Sequence, residues 1–492
     1  MLDSRLTAAR LGRSSIWSLL DTGAAQLLNL LVFLVLAHFL APSAFGLLAA
    51  ALLANELFRT IAVEPILTAV TTRARPDHDD YTACFLLIAG VSLLGFALIF
   101  FAAGPVEALS GIDGLGATVQ ATAFLILTAS FARTHEVWLI RQHRFDTLAM
   151  RSILSILLGG AVGIVLAIHG FGIWSLIAQQ LVRSISALAF LWIAARWMPG
   201  WRAGREKFVS ILRYARHVSA TGIANFANQQ SDVFFAITYL GAGPTGLYNG
   251  AKRLTSATNQ ILARSLNRVA LPAFAELKAD RSRLRYGFLN AVSLTSLATA
   301  PIFAGIALLS EDIVAVALGD DWTATAPLLA ILCLPAFLAT IGQYNHSIVL
   351  ALDKPHWQTI LTAIYGAANI LLFLIVARYG IVALATAFAF RALTLFPLSF
   401  GAALYLTDIR WRRYLARIGP PLLASGIMVV MLIPLHTALE SYAPVTRLFA
   451  LPLAGAPIYL VSLLVFDRDR LFAAAHIAAK TIGKDFTVKG RS

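Results

Sequence analysis

From Gly246 to Phe274 the chain reads GLYNGAKRLTSATNQILARSLNRVALPAF, long and apolar enough to cross a bilayer yet carrying Lys252, Arg253, Arg264 and Arg268. One cation at the bilayer centre costs at least about 2.5–3.5 kcal/mol, so a cluster of them needs a compensating environment. On a helix turning about 100° per residue, Asn249, Arg253, Gln260, Arg264, Asn267 and Arg268 share one side. Leu254, Ile261, Leu262, Leu266 and Val269 take the other. From 249 to 268 the stripe rises about 28 Å, close to the hydrocarbon thickness. Cations gathered on one face line a wet chamber rather than facing lipid. Their chemistry is anion recognition, because a planar guanidinium fork matches phosphate oxygens and also suits an acidic sugar. Arg268, near one end, also fits a plain topology charge.

The preceding segment, SATGIANFANQQSDVFF, puts Thr221, Asn225, Asn228, Gln229 and Asp232 on one face. The first segment carries Ser14, Ser18, Asp21 and Asn29 on one face, and the second carries Glu56, Arg59 and Glu64. Arg133, Glu136 and Arg183 lie in or near the fourth and sixth. Each has a plainer reading. Arg133, Glu136, Arg141 and Arg144 fit snorkelling interface residues, Glu56, Arg59 and Glu64 fit internal ion pairs, and Asp232 fits a satisfied core carboxylate.

The elements that must hold these residues are membrane helices. Of 492 residues, 59% are hydrophobic and 13% charged, with mean hydropathy +0.76; soluble domains average about 25% charged. Fourteen spans are expected, at about 15–38, 45–70, 82–104, 117–140, 152–169, 172–195, 217–240, 246–272, 288–310, 324–347, 357–377, 380–406, 418–437 and 446–466. The start, MLDSRLTAARLGRSS, has no cleavable signal and reads as a start-anchor with both termini cytoplasmic. With that orientation most of the 39 Lys and Arg fall inside, and only Arg378 and Arg447 fall outside. The net charge of +14 therefore records topology, not a nucleic-acid partner. Cys84 and Cys333 read as core residues, and His135-Glu136 fails as a zincin start because Leu139 stands where the second His would be.

The chain also looks duplicated. LAPSAFGLLAAA (40–51) and LGAGPTGLYNGA (240–251) share Leu, Gly, Leu and Ala at positions 200 apart. VLAIHGFGIWSLIAQQLV (165–182) parallels LIVARYGIVALATAFAF (374–390). This predicts an all-α integral membrane fold of two parallel six-helix repeats forming a V-shaped bundle, with two additional C-terminal helices. The expected divisions are 1–195, a cytoplasmic linker at 196–216, 217–410, and 411–492 with its basic tail.

Several motifs resemble the polysaccharide transporter family of oligosaccharide flippases. They are L-x-P-x-x-F-G-L (Leu40–Leu47), G-x-G-I-W-S-L (Gly170–Leu176), D-V-F-F with L-G-A-G-P-T-G-L-Y-x-x-A-K-R-L (Asp232–Leu254), A-L-P-A-F-A-E-L-K-x-D (Ala270–Asp280) and A-L-G-D-D-W (Ala317–Trp322). The resemblance spans about residues 10–400. It implies an exporter of undecaprenyl-diphosphate-linked oligosaccharide in a bacterial inner membrane, within the superfamily that holds drug/cation antiporters and lipid II flippases. It also implies work alongside a polysaccharide polymerase and export machinery. Arg253, Arg264 and Arg268 would then hold the anionic headgroup, with Lys252 and Arg59 as secondary cations and Asn225, Asn228, Gln229 and Gln260 beside the sugar. Asp232, Asp21 or Glu56 would carry the coupling H+ or Na+; no other cofactor is expected. A polysaccharide-assembly enzyme would need a large outer loop and paired catalytic groups, neither of which the sequence offers. A drug/cation antiporter would need an anionic chamber, and a lipid II flippase is the nearest alternative.

Overall fold

The structure, a computed structural model, describes residues 23–488, with side chains described throughout except at 262–273, 275 and 469–488. Among the described residues there are helices and connecting turns and no strand. In order they are α1 Gly23–Ala37, α2 Pro42–Thr71, α3 His78–Ser110, α4 Leu115–Arg141, α5 Phe145–Ile168 and α6 Ile173–Ala195. Then come α7 Arg205–Leu240, α8 Ala242–Glu276, α9 Arg281–Leu308, the short α10 Ser310–Ala317 and α11 Thr325–Ala351. The chain ends in α12 Pro355–Val376, α13 Ile381–Thr407, α14 Trp411–Ala438 and α15 Pro444–Val488, the last kinked at Asp467.

Helix is what the composition demands, since a chain in hydrocarbon must satisfy its own N–H and C=O groups. Among the described residues, 11 helices are long and apolar enough to cross a membrane. Leu98, Phe101, Ile193, Leu453 and Val465 stand exposed on them, as lipid-facing residues do. α7 and α8 have the length but not the apolarity, and they are the helices with the polar stripes. Local signals set the ends. Pro42 opens α2, and Asp77 with Asp80 forms a capping box at the start of α3. Gly111, at φ 65°, closes α3 in the left-handed region.

Contacts gather the chain into two compact units. One comprises Met1–Ile261, Leu318–Leu328 and Thr359–Arg391; the other comprises Leu262–Ala317, Leu329–Gln358 and Ala392–Ser492.

In the first unit α2 and α8 cross backbone to backbone. A Cβ on Gly46 would lie 1.8 Å from the Ala242 carbonyl oxygen, and one on Gly246 would lie 1.7 Å from that of Pro42. The contact is reciprocal between positions 200 apart in sequence. Beside it Trp322, fully buried, donates from Nε1 to the Ala37 carbonyl at 3.0 Å. Its ring meets Phe45 and Phe33 edge-on at 5.2 and 6.0 Å.

The segment 196–216 is docked rather than loose. Trp197 is buried among Tyr81, His135 and Trp138, stacked on the last at 5.8 Å. Nearby, Lys207 Nζ bridges Asp77 (2.8 Å) and Asp80 (2.9 Å), while Arg73 pairs with Asp80 and Ser210. The Lys207 ammonium and the Asp80 backbone N–H hold the Asp77 carboxyl below its usual range. Arg141 and Arg144 cap carbonyls of neighbouring segments: Arg73, Ala74 and Ala194.

In the second unit, Phe288, Tyr344, Phe400 and Tyr414 form part of the core between α9, α11, α13 and α14. A second cluster, with Leu309, Met428, Leu451 and Leu463, packs α14 and α15 against the end of α9. Asp312 on α10, buried, takes Arg447 at 2.7 Å and His436 at 3.4 Å, tying down the turn between α14 and α15.

Candidate functional site

The first unit contains a chain of alternating charges. Arg59 pairs with Glu56 and with Glu64, each at 2.5 Å. Glu64 reaches Arg133 at 2.8 Å; Arg133 meets Glu136 and Glu136 meets Arg151, both at 3.3 Å. Three carboxylates and three guanidiniums neutralise one another across α2, α4 and α5. Backbone geometry makes this possible. Residues five apart on an α-helix point about 140° apart, but Arg59–Val63 forms a π-helical turn, whose i→i+5 spacing brings Arg59 and Glu64 onto one face. Of the two readings open for Glu56, Arg59 and Glu64, internal ion pairing is what the structure shows. Arg59 is therefore not a spare cation.

α7 lies against that π turn. Gly222 permits the approach, since a Cβ there would sit 2.6 Å from the Thr60 carbonyl oxygen, and Ser219 Oγ donates to the Ile61 carbonyl at 2.7 Å. Next to this contact is a cavity of about 270 Å³ lined by Glu56, Arg59, Glu64, Thr221, Asn225 and Gln229. Four of the expected site residues thus share one wall. A neighbouring, more apolar cavity of about 360 Å³ also touches Glu56, Arg59 and Asn249. Asn228 is engaged elsewhere, its backbone carbonyl and its side-chain Oδ1 accepting from Asn369 Nδ2 at 2.9 and 3.3 Å.

Two expected roles change at the α7–α8 hairpin. Asp232, buried, accepts at Oδ2 from Lys252 Nζ (2.7 Å) and Tyr248 OH (2.8 Å), and at Oδ1 from the Val233 N–H (2.9 Å). Lys252 is therefore compensated and is not a free cation for cargo; it also donates to the Gln229 carbonyl at 2.9 Å. Asp232 is a satisfied carboxylate in this state. Arg391 on α13 adds its field to Asp232, its guanidinium lying over the Phe388 ring at 4.8 Å. Neither Tyr248 nor Arg391 was expected. Arg391 had a signal, since a charge inside an apolar span marks a functional or paired position.

Arg253 behaves differently. It is half-buried, its guanidinium lies over the face of Phe33 at 4.7 Å, and no carboxylate partner occurs among the described residues. Arg183 on α6 is similar, donating from Nη1 to Asn29 Oδ1 at 2.8 Å. Gln260 is half-buried on the same helix as Arg253. Asp21 and the side chains of Arg264 and Arg268 lie outside the described residues. Among the described residues the first unit thus combines guanidiniums that lack a carboxylate partner, a neutralised ion-pair chain and an amide-lined cavity.

Known proteins place the chain further. The family model described as polysaccharide biosynthesis protein matches residues 35–327. The succinoglycan biosynthesis transport protein ExoT of Rhizobium meliloti is 26% identical over 324 residues, 66% of each chain. The match thus spans just under two thirds of that relative. The teichuronic acid biosynthesis protein TuaB of Bacillus subtilis is 23% identical over 383 residues, 76% of this chain and 78% of that one. Among solved structures, the lipid II flippase MurJ in an inward closed conformation superposes with a TM-score of 0.75 at 16% identity, covering 93% of this chain and 100% of that one. A multidrug resistance MATE family transporter gives 0.56 at 16% identity, covering 78% and 95%. At that identity the likeness is one of fold. With a membrane-helical fold, a polar chamber wall and a family model matched over more than half its length, the chain belongs to the polysaccharide biosynthesis protein family.

Proposed function

We propose that the protein is a flippase that turns a lipid-diphosphate-linked oligosaccharide, an undecaprenyl-linked repeat unit, from the cytoplasmic to the outer leaflet of a bacterial inner membrane. The product would feed exopolysaccharide, capsule or O-antigen export. One observation carries the reading: among the described residues Arg253 has no carboxylate partner, inside a bundle where Arg59, Arg133 and Lys252 are paired. Such a charge is costly in a membrane unless a ligand repays it, and phosphate oxygens suit its donor fork. A relative's name points the same way, the Rhizobium meliloti protein being a succinoglycan biosynthesis transport protein. An antiporter for cationic drugs would need surplus carboxylate instead.

In this reading fourteen helices form two parallel six-helix repeats that alternate access, with α14 and α15 beside them. The reciprocal Gly46–Ala242 and Gly246–Pro42 contacts support the duplication. With both termini cytoplasmic, the α2–α8 crossing lies at the outer face and closes it. Arg264 and Arg268 would add their charge to the headgroup site, and Asn225 and Gln229 would meet sugar hydroxyls in the 270 Å³ cavity. Of the candidate coupling carboxylates, Asp232 is the best placed, because taking up a proton or sodium ion there would release Lys252. A polymerase and the export machinery would act downstream.

The test is Arg253→Gln in a strain whose surface polysaccharide depends on this protein. Export should fall at least tenfold while membrane levels of the protein stay normal. Unchanged export would remove the reading.

A further inference from the structure

We propose that Ser219 is a positioning residue for transport: with Gly222 it forms a releasable staple that holds the π turn of α2 against α7, and its release parts Glu64 from Arg59 in the wall of the polar cavity. The staple rests on the flippase reading for its purpose and on the first unit alone for its geometry. It begins with Pro65, one residue past the π turn. A proline has no N–H, so the carbonyl four residues back, that of Ile61, lacks its α-helical donor. The π turn orphans a second carbonyl. Glu64 N–H bonds Arg59, where α spacing would have given it to Thr60, and the donor that π spacing would give Thr60 is again Pro65. Both carbonyls meet α7. Ser219 Oγ donates to the Ile61 carbonyl at 2.7 Å, and the Gly222 backbone packs on that of Thr60, where a Cβ would lie 2.6 Å from the oxygen. Thr60, Pro65 and Gly222 line the same 270 Å³ cavity as Arg59 and Glu64.

Two further contacts make the staple reversible. Ser219 Oγ also lies 2.9 Å from the Ala215 carbonyl of its own helix. A hydroxyl has one proton to give, so it serves Ile61 while α7 is near and returns to Ala215 when α7 withdraws. The hydroxyl is satisfied in either position. On the α2 side, Thr68 Oγ bonds back to the Glu64 carbonyl at 2.7 Å, a contact that bends a helix rather than stiffening it. Between Arg59 and Thr68 the helix thus joins a π turn, a proline and a back-bonded threonine, each a cause of kinking. Once α7 has gone, α spacing leaves fewer orphans, because Glu64 N–H can return to the Thr60 carbonyl. In that spacing residues five apart point about 140° apart, so the 2.5 Å pair of Arg59 and Glu64 opens. The position of α7 thereby sets the charge pairing of the cavity wall. A serine that only packed two helices together would do so without regard to Pro65.

The experiment uses the full chain in nanodiscs and follows amide hydrogen exchange of residues 59–71 by mass spectrometry. Ser219→Ala should speed exchange there about tenfold. Ser219→Thr keeps the hydroxyl and should stay within about twofold of wild type. Pro65→Ala returns an N–H to the turn, so in that background Ser219→Ala should change exchange less than about twofold. The same samples are treated with a membrane-permeant carbodiimide, which attacks protonated carboxyls. Glu64 loses one of its two cations on release, so its labelling should rise at least about fivefold in Ser219→Ala. Equal acceleration with and without Pro65, unchanged exchange in Ser219→Ala, or faster exchange with unchanged Glu64 labelling would each overturn the staple. Loss of the coupling to Pro65 while export still depends on Arg253 removes the staple and leaves the flippase reading. Intact coupling with export indifferent to Arg253→Gln does the reverse.

Discussion

Replacing Gly246 by alanine tests whether the α2–α8 crossing is a seal that must part for release. The new Cβ would sit 1.7 Å from the Pro42 carbonyl oxygen, where ordinary contact begins near 3.4 Å. The obstacle is backbone at the first turn of α2 and cannot rotate aside, so restoring ordinary contact needs the helices to separate by about 1.7 Å. Overpacking of this kind costs about 1–3 kcal/mol. The penalty falls on the crossed state alone, so the balance between crossed and parted states shifts about five- to 150-fold. Gly46→Ala meets the Ala242 carbonyl at 1.8 Å and parts the same pair of helices. Once one substitution has opened the crossing, the second fits without further strain. The double variant should therefore match the larger single penalty within about 0.5 kcal/mol, a strong non-additivity.

The readout is a cysteine at Thr245, a fully buried position next to the crossing, in a chain whose Cys84 and Cys333 are replaced by alanine. A membrane-impermeant maleimide added outside cells should label it slowly in the parent and at least fivefold faster with Gly246→Ala or Gly46→Ala. Unchanged labelling in both variants, or additive penalties in the double variant, would refute the reasoning.

Two further outcomes are expected. Asp312→Asn strands Arg447, whose side chain is only 14% exposed, and should destabilise the second unit by about 3–5 kcal/mol; adding Arg447→Met should recover most of the lost thermal midpoint. The Asp77 carboxyl, held low by Lys207, contributes its stability in full above the ordinary carboxylate range of about pH 4. That contribution disappears as pH falls through the depressed folded value, so a thermal-midpoint profile taken down to about pH 3 should decline less steeply in Asp77→Asn.

Which residues share a helix face was legible because helical periodicity is local. Asn225 and Gln229, four apart, were expected on one face and do line one cavity; Arg253 was expected to escape lipid and packs against Phe33. The errors came from partners supplied across helices. Lys252 looked free because no carboxylate lies within a few turns of it along α8. Yet Asp232 and Lys252 sit 9 and 11 residues from Gly241, the turn of an antiparallel hairpin, and that symmetry places them opposite each other. Arg391 offered no such arithmetic, since its nearness to Asp232 depends on how α13 packs. The π turn at Arg59–Val63 was illegible for another reason: an extra residue in a helical turn leaves no pattern in apolar spacing. It is nevertheless what lets Arg59 reach Glu64 and closes the ion-pair chain.

That closure bears on what the protein can carry. Had Glu56 and Glu64 been free, their charge would have offset Arg183 and Arg253, and the chamber would have favoured neither sign. Because α2, α4 and α5 pair their own acids and bases, and the single Asp232 carboxylate faces both Lys252 and Arg391, the described interior of the first unit keeps a surplus of positive charge, with Arg183 and Arg253 among its carriers. Those two are held by an amide and an aromatic ring, partners that orient a cation without discharging it. A binding wall for cations would be arranged the other way, with the arginines paired and the carboxylates left over. On the proposed function, the distribution of partners, more than the number of charges, is what favours an anion.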